Sequence, residues 1–190
     1  MDKINFLRLS SWAWLILLSY WIYSGMKTKM TIRKQNTVSR ISHLILVISA
    51  FALIYEDRMG IGILGYRFYP HKTMMELAGL LINLAGIGFS VVARIWLGSN
   101  WSAMVTVKQD HVLISSGPYT ITRHPIYSGM LLAISGAAII LGEIRGLVAV
   151  GLFLIAIEIK MAMEEKFMKS TFSTYEGYIR KTKKLIPLIY

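Results

Sequence analysis

The chain has 190 residues, 55% of them hydrophobic and 16% charged, with a mean hydropathy of +0.53, no cysteine and a net charge of +11. Soluble domains carry about 25% charged residues, so an ordinary soluble domain is excluded, and the lack of cysteine excludes a disulfide framework or thiolate chemistry. The positive charge reads as loop charge facing anionic lipid heads, because no soluble segment interleaves basic residues with stacking aromatics as a nucleic-acid surface would.

Five apolar segments follow in order, and long apolar runs with few charges predict membrane helices. The first, Phe6 to Gly25, is crowded with interface-seeking aromatics: Trp12, Trp14, Tyr20, Trp21 and Tyr23. It reads as a span and not as a signal peptide, since no small-residue cleavage site follows. The second, Ile41 to Tyr55, is short for a bilayer and stops at Glu56-Asp57-Arg58. The third runs from Met74 to Leu97. The fourth, Ile126 to Gly142, and the fifth, Gly146 to Met163, are joined by Glu143, Ile144 and Arg145, a link that forces an antiparallel helical hairpin. Small residues on the fourth segment, Gly129, Ala133 and Gly136-Ala137, predict close approach of another helix. The expectation is an all-α integral membrane protein of about five spans. It forms one domain over 1–190, with N-terminal spans in 6–97 and a catalytic half in 98–190.

Loop charges set the predicted orientation. Residues 27–40 hold five Lys or Arg and no acid, and the tail after Glu165 holds six, while the opposite loops hold fewer. That places the N-terminus outside and the C-terminus in the cytoplasm. The polar stretches at 98–127 and 160–165 then share the cytoplasmic side.

Two motifs are set aside. Gly60-Ile61-Gly62-Ile63-Leu64-Gly65 matches a dinucleotide fingerprint, yet it lies between apolar spans and outside any βαβ unit. The four histidines, His43, His71, His111 and His124, share no metal-ligand spacing.

What remains is chemistry at the ends of the hairpin. Arg123-His124-Pro125 precedes the fourth span, with Pro125 suited to a first helical turn and Arg123 offering a fork of donors to an anion. Gly117-Pro118 turns the chain nearby, and Tyr119 and Tyr127 flank the motif. Lys160 and Glu164 share a helix face, whereas Glu165 points about 100° away, on the side of Glu158. Ionisable groups such as Glu158 and Lys160 at membrane depth suggest function. Arg94, near a span end, reads as a snorkelling structural residue.

From Leu97 to Pro187 the chain resembles the isoprenylcysteine carboxyl methyltransferase family. The likeness rests on Leu97-Gly98, Trp101-Ser102, His111, Leu113, Gly117, Tyr119, Arg123-His124-Pro125, Tyr127, Gly129, Glu164-Glu165, Tyr175, Tyr178 and Pro187 in that order. The resemblance implies an S-adenosylmethionine-dependent membrane methyltransferase with its cofactor pocket at the cytosolic face under the C-terminal segment. The matching cofactor positions are His111, Val112, Leu113, Ile114, Tyr119, His124, Pro125, Ile126, Tyr127 and Glu164. The family's acceptor-facing Arg, four residues before that Glu, is here Lys160, which lacks the bidentate fork. Lys160 and Arg123 are assigned to the negative charge of a lipophilic or prenylated acceptor, with Glu165 either a partner of Arg123 or a tail residue. Other readings are a phospholipid N-methyltransferase, which needs a base such as Glu165 or His124, an NADPH-dependent sterol-type reductase using Lys181, Lys183 and Lys184, and a non-enzymatic bundle.

Overall fold

In the computed structural model, the backbone is described over residues 5–26, 31–34, 37–98, 106–108, 113–187 and 189–190, and side chains over the same residues except 31–34, 37–40 and 106–108. All five apolar segments form helices: α1 (Phe6–Gly25), α2 (Thr37–Tyr55), α3 (Thr73–Leu97), α4 (Pro125–Leu141) and α5 (Ile144–Thr171), followed by a short α6 (Tyr175–Lys181). α3 and α5 are long and apolar enough to cross a membrane, and the apolar stretches of α2 and α4 are shorter. At 1.5 Å per residue, α3 extends about 38 Å.

Three boundaries differ from expectation, the first being the start of α2, at Thr37 and not Ile41. α5 continues eight residues past Met163, because Glu164, Glu165, Lys166 and Met168 are good helix formers that leave an apolar environment without leaving the helix. The hairpin link shrinks to Gly142 and Glu143, since Gly142 takes a left-handed φ of 66° and reverses the chain at once. The described residues also hold one element outside an all-α reading. β1 (Thr31–Lys34) pairs antiparallel with β2 (Thr106–Lys108), through Thr31 with Lys108, Arg33 with Val107 and Lys34 with Thr106. Thr and Ile or Val suit a pleated ribbon, and this one ties the α1–α2 loop to the α3–α4 loop at the end where the site lies.

α3 and α4 meet through their backbones. A Cβ added to Gly86 would lie 2.5 Å from the Gly129 carbonyl oxygen, and one added to Gly129 would lie 2.6 Å from that of Gly86. Gly79 and Gly136 repeat the arrangement two turns away, at 2.8 and 2.6 Å. This is the close approach that small residues predicted. The same contact is sealed by polar side chains of α3: Asn83 Nδ2 donates to Ala133 O at 2.7 Å and Ser90 Oγ to Ile126 O at 3.0 Å.

α2 packs on α5, and α1 on α3. The core joins Trp14 and Leu17 of α1, Ala50 and Ile54 of α2, Ala133, Ile134 and Ala137 of α4, and Ala149, Phe153, Ile157 and Met161 of α5. Leu185, from the C-terminal segment, completes it. Phe51 meets Trp14 edge-on at 4.9 Å, and the hydroxyls of Ser10 and Tyr55 hydrogen-bond at 2.6 Å. Arg94 does not snorkel. It is 4% exposed, with Nη1 donating to Gly98 O at 2.8 Å and Nη2 to Ser24 O at 3.1 Å. The free carbonyls at the ends of α1 and α3 lie within its reach and outcompete lipid head groups.

Candidate active site at the open end of the hairpin

The approach to α4 is built around Gly117. Its φ is 59°, and a Cβ there would run into the Trp96 ring, so only glycine lets the chain turn against that indole. Trp96 Nε1 donates to Ser116 Oγ at 3.0 Å, fixing the indole under the turn. Tyr119 follows, buried, with Oη donating to Ala93 O at 3.4 Å, while its own carbonyl accepts from Tyr178 Oη at 2.7 Å. Burial pushes both phenols up, Tyr178 to about 12, so both stay neutral near pH 7.

The C-terminal segment then runs beside residues 121–124. Arg123 N donates to Lys183 O at 2.8 Å, His124 N to Lys184 O at 3.2 Å, and Lys183 N to Ile121 O at 3.3 Å. Thr122 Oγ1 donates to Lys184 O at 2.8 Å, and Ser128 Oγ to Leu185 O. Lys184 Nζ pairs with Glu158 Oε2 at 2.5 Å. Glu158 is thus neutralised from the tail.

His124 caps α4 and Pro125 occupies its first turn, as the missing proline N–H favours. The imidazole sits between two carboxylates of α5: Nδ1 lies 3.4 Å from Glu164 Oε2 and Nε2 3.3 Å from Glu165 Oε1. Consecutive helical residues diverge by about 100°, and His124 occupies the angle between them. Burial disfavours its charged form, but the two carboxylates outweigh burial and hold its pKa above the ordinary imidazole value. Tyr127 Oη donates to Glu164 Oε1 at 2.5 Å, and its ring stacks on His124 at 5.7 Å and 26°. Lys160 Nζ lies over the Tyr127 ring, 5.5 Å from its centroid and within cation–π range. Ile126 packs with Ala93 of α3.

Arg123 is expected beside an acceptor, yet its donors point elsewhere. Nε contacts Glu165 Oε1 at 2.8 Å, and Nη1 donates to Thr182 O at 2.6 Å and Ile179 O at 3.4 Å. The Arg123–Glu165 pairing held open in the sequence is present. A cleft of about 720 Å³ opens next to this cluster, lined by Leu113, Thr120 and Tyr178 and by Gly177, Arg180 and Lys181 of α6. Leu113 and Ile114 are half-buried. His111 and Val112 lie outside the described residues. The structure therefore brings Arg123, His124, Tyr127, Lys160 and Glu164 together and sets Tyr119 behind them.

Sequence reasoning passed over His43. Its Nδ1 lies 3.2 Å from Ala156 O, one turn before Lys160 on α5. A lone histidine in an apolar stretch carries no pattern, and only the packing of α2 on α5 shows its position.

The profile of the phospholipid methyltransferase family matches residues 74–175, more than half of the chain. The protein-S-isoprenylcysteine O-methyltransferase of Schizosaccharomyces pombe is 32% identical over 101 residues, 51% of this chain and 43% of that protein. The cobalt-zinc-cadmium resistance protein CzcN of Cupriavidus metallidurans is 26% identical over 109 residues, 57% of this chain and 49% of that one. The chain spans about half the length of the curated relatives it matches. A solved structure of the eukaryotic intramembrane Ras methyltransferase, isoprenylcysteine carboxyl methyltransferase, superposes with a TM-score of 0.56 at 20% identity, covering 83% of this chain and 55% of the other. The match over 74–175 takes in α3, the helical hairpin and the paired carboxylates that grip His124, and on that ground the chain belongs to the phospholipid methyltransferase family of membrane methyltransferases, with the fold of the isoprenylcysteine enzyme.

Proposed function

We propose that the chain transfers a methyl group from S-adenosylmethionine to the carboxylate of a lipidated (isoprenyl) cysteine or a similar lipophilic acid, at the cytoplasmic face of the membrane. The observation that carries this reading is the placement of the Lys160 ammonium over the Tyr127 ring, one helical turn deeper than Glu164, inside an apolar bundle. A cation held there suits an anionic acceptor arriving from the bilayer and repels an ammonium one.

The residues fit the cofactor. Of the residues assigned to the cofactor, Leu113 lines the cleft of about 720 Å³ beside α6, and Glu164 with the Tyr127 ring, outside that lining, offers charge and π-face to a cationic sulfonium centre. When bound, S-adenosylmethionine supplies a methyl carbon on positively charged sulfur. Leu113, Ile114 and Tyr119 are assigned as its apolar and aromatic walls by resemblance, as are His111 and Val112. His124 holds Glu164 and Glu165 in place through both ring nitrogens. Pro125 and Ile126 shape the first turn of α4. Lys160 orients the acceptor carboxylate, which is ionised near pH 7 and needs no general base. Arg123 anchors the C-terminal segment that keeps water from the reacting groups.

The family profile favours one further reading, methylation of a phospholipid amine, in which a proton must leave the acceptor before attack. The test is calorimetric binding of S-adenosylhomocysteine to detergent-purified protein, with Glu164→Ala as control. Labelled methyl transfer to a prenylated cysteine acid and to phosphatidylethanolamine follows. Binding lost in Glu164→Ala and transfer to the acid alone are expected. Transfer to the amine alone overturns the carboxyl reading, and no binding by the wild-type protein overturns the methyl-transfer reading.

A further inference from the structure

The end of the bundle opposite His124 is built inside out. Residues 59–70, which include the glycine motif Gly60-Ile61-Gly62-Ile63-Leu64-Gly65, hold a single charged residue, Arg67. Its guanidinium turns to Glu143, which also pairs with Arg145, and Arg145 is only 4% exposed. The outer surface of the segment is apolar instead. Ile61 is 74% exposed and Ile63 75%, and Met59, Tyr66 and Phe68 are exposed as well. Ion pairs inside and large apolar side chains outside suit a surface wetted by hydrocarbon and not by water. The backbone is paired within the protein, as hydrocarbon also demands. The amides of Met59, Gly60, Leu64 and Tyr66 donate to the carbonyls of Glu56, Asp57, Ile61 and Ile63 at 3.1 to 3.2 Å. A Cβ on Gly65 would lie 2.5 Å from the Gly60 carbonyl oxygen, so glycine is what lets this turn close on itself. Phe68 N donates to Gly142 O at 3.2 Å and Ile144 N to Tyr66 O at 3.0 Å, strapping the segment across the turn between α4 and α5.

Helix length gives the depth. The apolar stretch of α2, Ile41–Tyr55, has 15 residues and α4 has 17. At 1.5 Å per residue these reach about 22 and 25 Å, against a hydrocarbon core of about 30 Å. Both helices end at this segment. With their other ends at the head groups on the side of the site, a shortfall of roughly 5–8 Å falls here. Interfacial segments bury their apolar faces to about that depth. We propose that residues 59–68 are embedded in the leaflet opposite the site, where they supply the apolar height that α2 and α4 lack. The partner of this surface is the lipid itself, at the boundary between head groups and acyl chains. The exposed charges before it, Glu56, Asp57 and Arg58, and those after it, His71 and Lys72, mark the level of the head groups. The placement holds whatever the methyl acceptor is.

The chain has no cysteine, so a single introduced cysteine carries a nitroxide label at one place only. Full-length Ile61→Cys, Ile63→Cys, Leu81→Cys and Asp57→Cys proteins are labelled and reconstituted in phosphatidylcholine vesicles at low protein density. Leu81 lies exposed on α3 and serves as the lipid reference, and Asp57 as the polar one. Each label is read for its collisions with oxygen, which concentrates in hydrocarbon, and with a water-soluble nickel chelate. The oxygen-to-nickel ratio at Ile61 and Ile63 is expected to approach that at Leu81 and to exceed that at Asp57 several-fold. Both isoleucines are largely exposed, so the substitutions leave the core intact and the two positions give independent readings. Ratios at Ile61 and Ile63 that match Asp57 put the segment in water and overturn the proposal. Dipolar broadening at Ile63 that persists as lipid is added makes this face a contact between two copies of the chain, and overturns the assignment to lipid.

Discussion

Replacing Arg123 by Met removes the cation that fastens the C-terminal segment to the hairpin while keeping most of its apolar volume. The guanidinium makes two contacts of good length, 2.8 Å to Glu165 Oε1 and 2.6 Å to Thr182 O, and a third at 3.4 Å that is too long to weigh. Hydrogen bonds involving a charged group contribute about 1.5–3 kcal/mol each. The side chains are 9% and 17% exposed, so solvent screening is modest. Taking the lower figure for both bonds, the docked tail loses roughly 3 kcal/mol relative to its locally opened form, or about two decades in the opening equilibrium. Hydrogen exchange reads that equilibrium at three amides, Arg123, His124 and Lys183, whose partners are Lys183 O, Lys184 O and Ile121 O. Their exchange is expected to accelerate about 100-fold in Arg123→Met, with the interior of α4 unchanged. Glu165→Gln leaves the carbonyl contact of Arg123 in place and is expected to give about a tenfold effect. Arg123→Met protein whose three amides exchange within about threefold of wild type would refute the claim that this cation holds the tail.

Further expectations concern the helix contact, the capping histidine and the acceptor cation. Gly86→Ala forces α3 and α4 apart and is expected to cost about 1–3 kcal/mol, visible as earlier thermal loss of the monodisperse detergent peak. Gly151→Ala, where an added Cβ meets nothing within 4 Å, is the matched control and should be neutral or better. The pKa of His124 is raised in the folded state. Its contribution is therefore complete below the unfolded value of about 6.5 and disappears as pH rises through the folded value. Thermal stability should fall on that rise in wild type and stay flatter in His124→Gln, and parallel curves would count against the carboxylate–imidazole arrangement. Lys160→Met is expected to raise KM for acid acceptors about tenfold or more while S-adenosylhomocysteine affinity holds, with Lys160→Arg restoring KM. Unchanged KM in Lys160→Met removes the ammonium from the acceptor site.

Much of this was legible in the residues because membrane helices announce themselves by unbroken apolar runs. Phe6 and Gly25 bound α1 as read, and α3 begins one residue before Met74. The resemblance placed His124, Tyr127 and Glu164 at one site, though not in contact with one another, and the Arg123–Glu165 pair was one of two readings open for Glu165. The end of α5 was not legible, because polarity marks where a helix meets a polar environment and not where its hydrogen bonds stop. The β1–β2 ribbon was hidden for another reason. Two short strands 75 residues apart in their first residues have no local signature, since their pairing is settled by the loops that bring them together. Arg94 is structural, as expected, but turns inward and does not snorkel, because a span-end arginine has two outlets, lipid heads or carbonyls of neighbouring helix ends, and only packing decides between them. His43 escaped for the same reason.

α4 and α5 resemble the prongs of a tuning fork. Their stem is the two-residue turn at Gly142 and Glu143, about 25 Å along α4 from His124. That stem is gripped from outside: Glu143 pairs with Arg67 at 3.4 Å and with Arg145 at 2.7 Å, and Arg145 Nη1 reaches Glu56 O at 2.7 Å. Whatever tilts the stem is carried along rigid prongs to their tips, where His124 must stay between Glu164 and Glu165. The pitch of the site is thus set at the end of the molecule where no chemistry occurs.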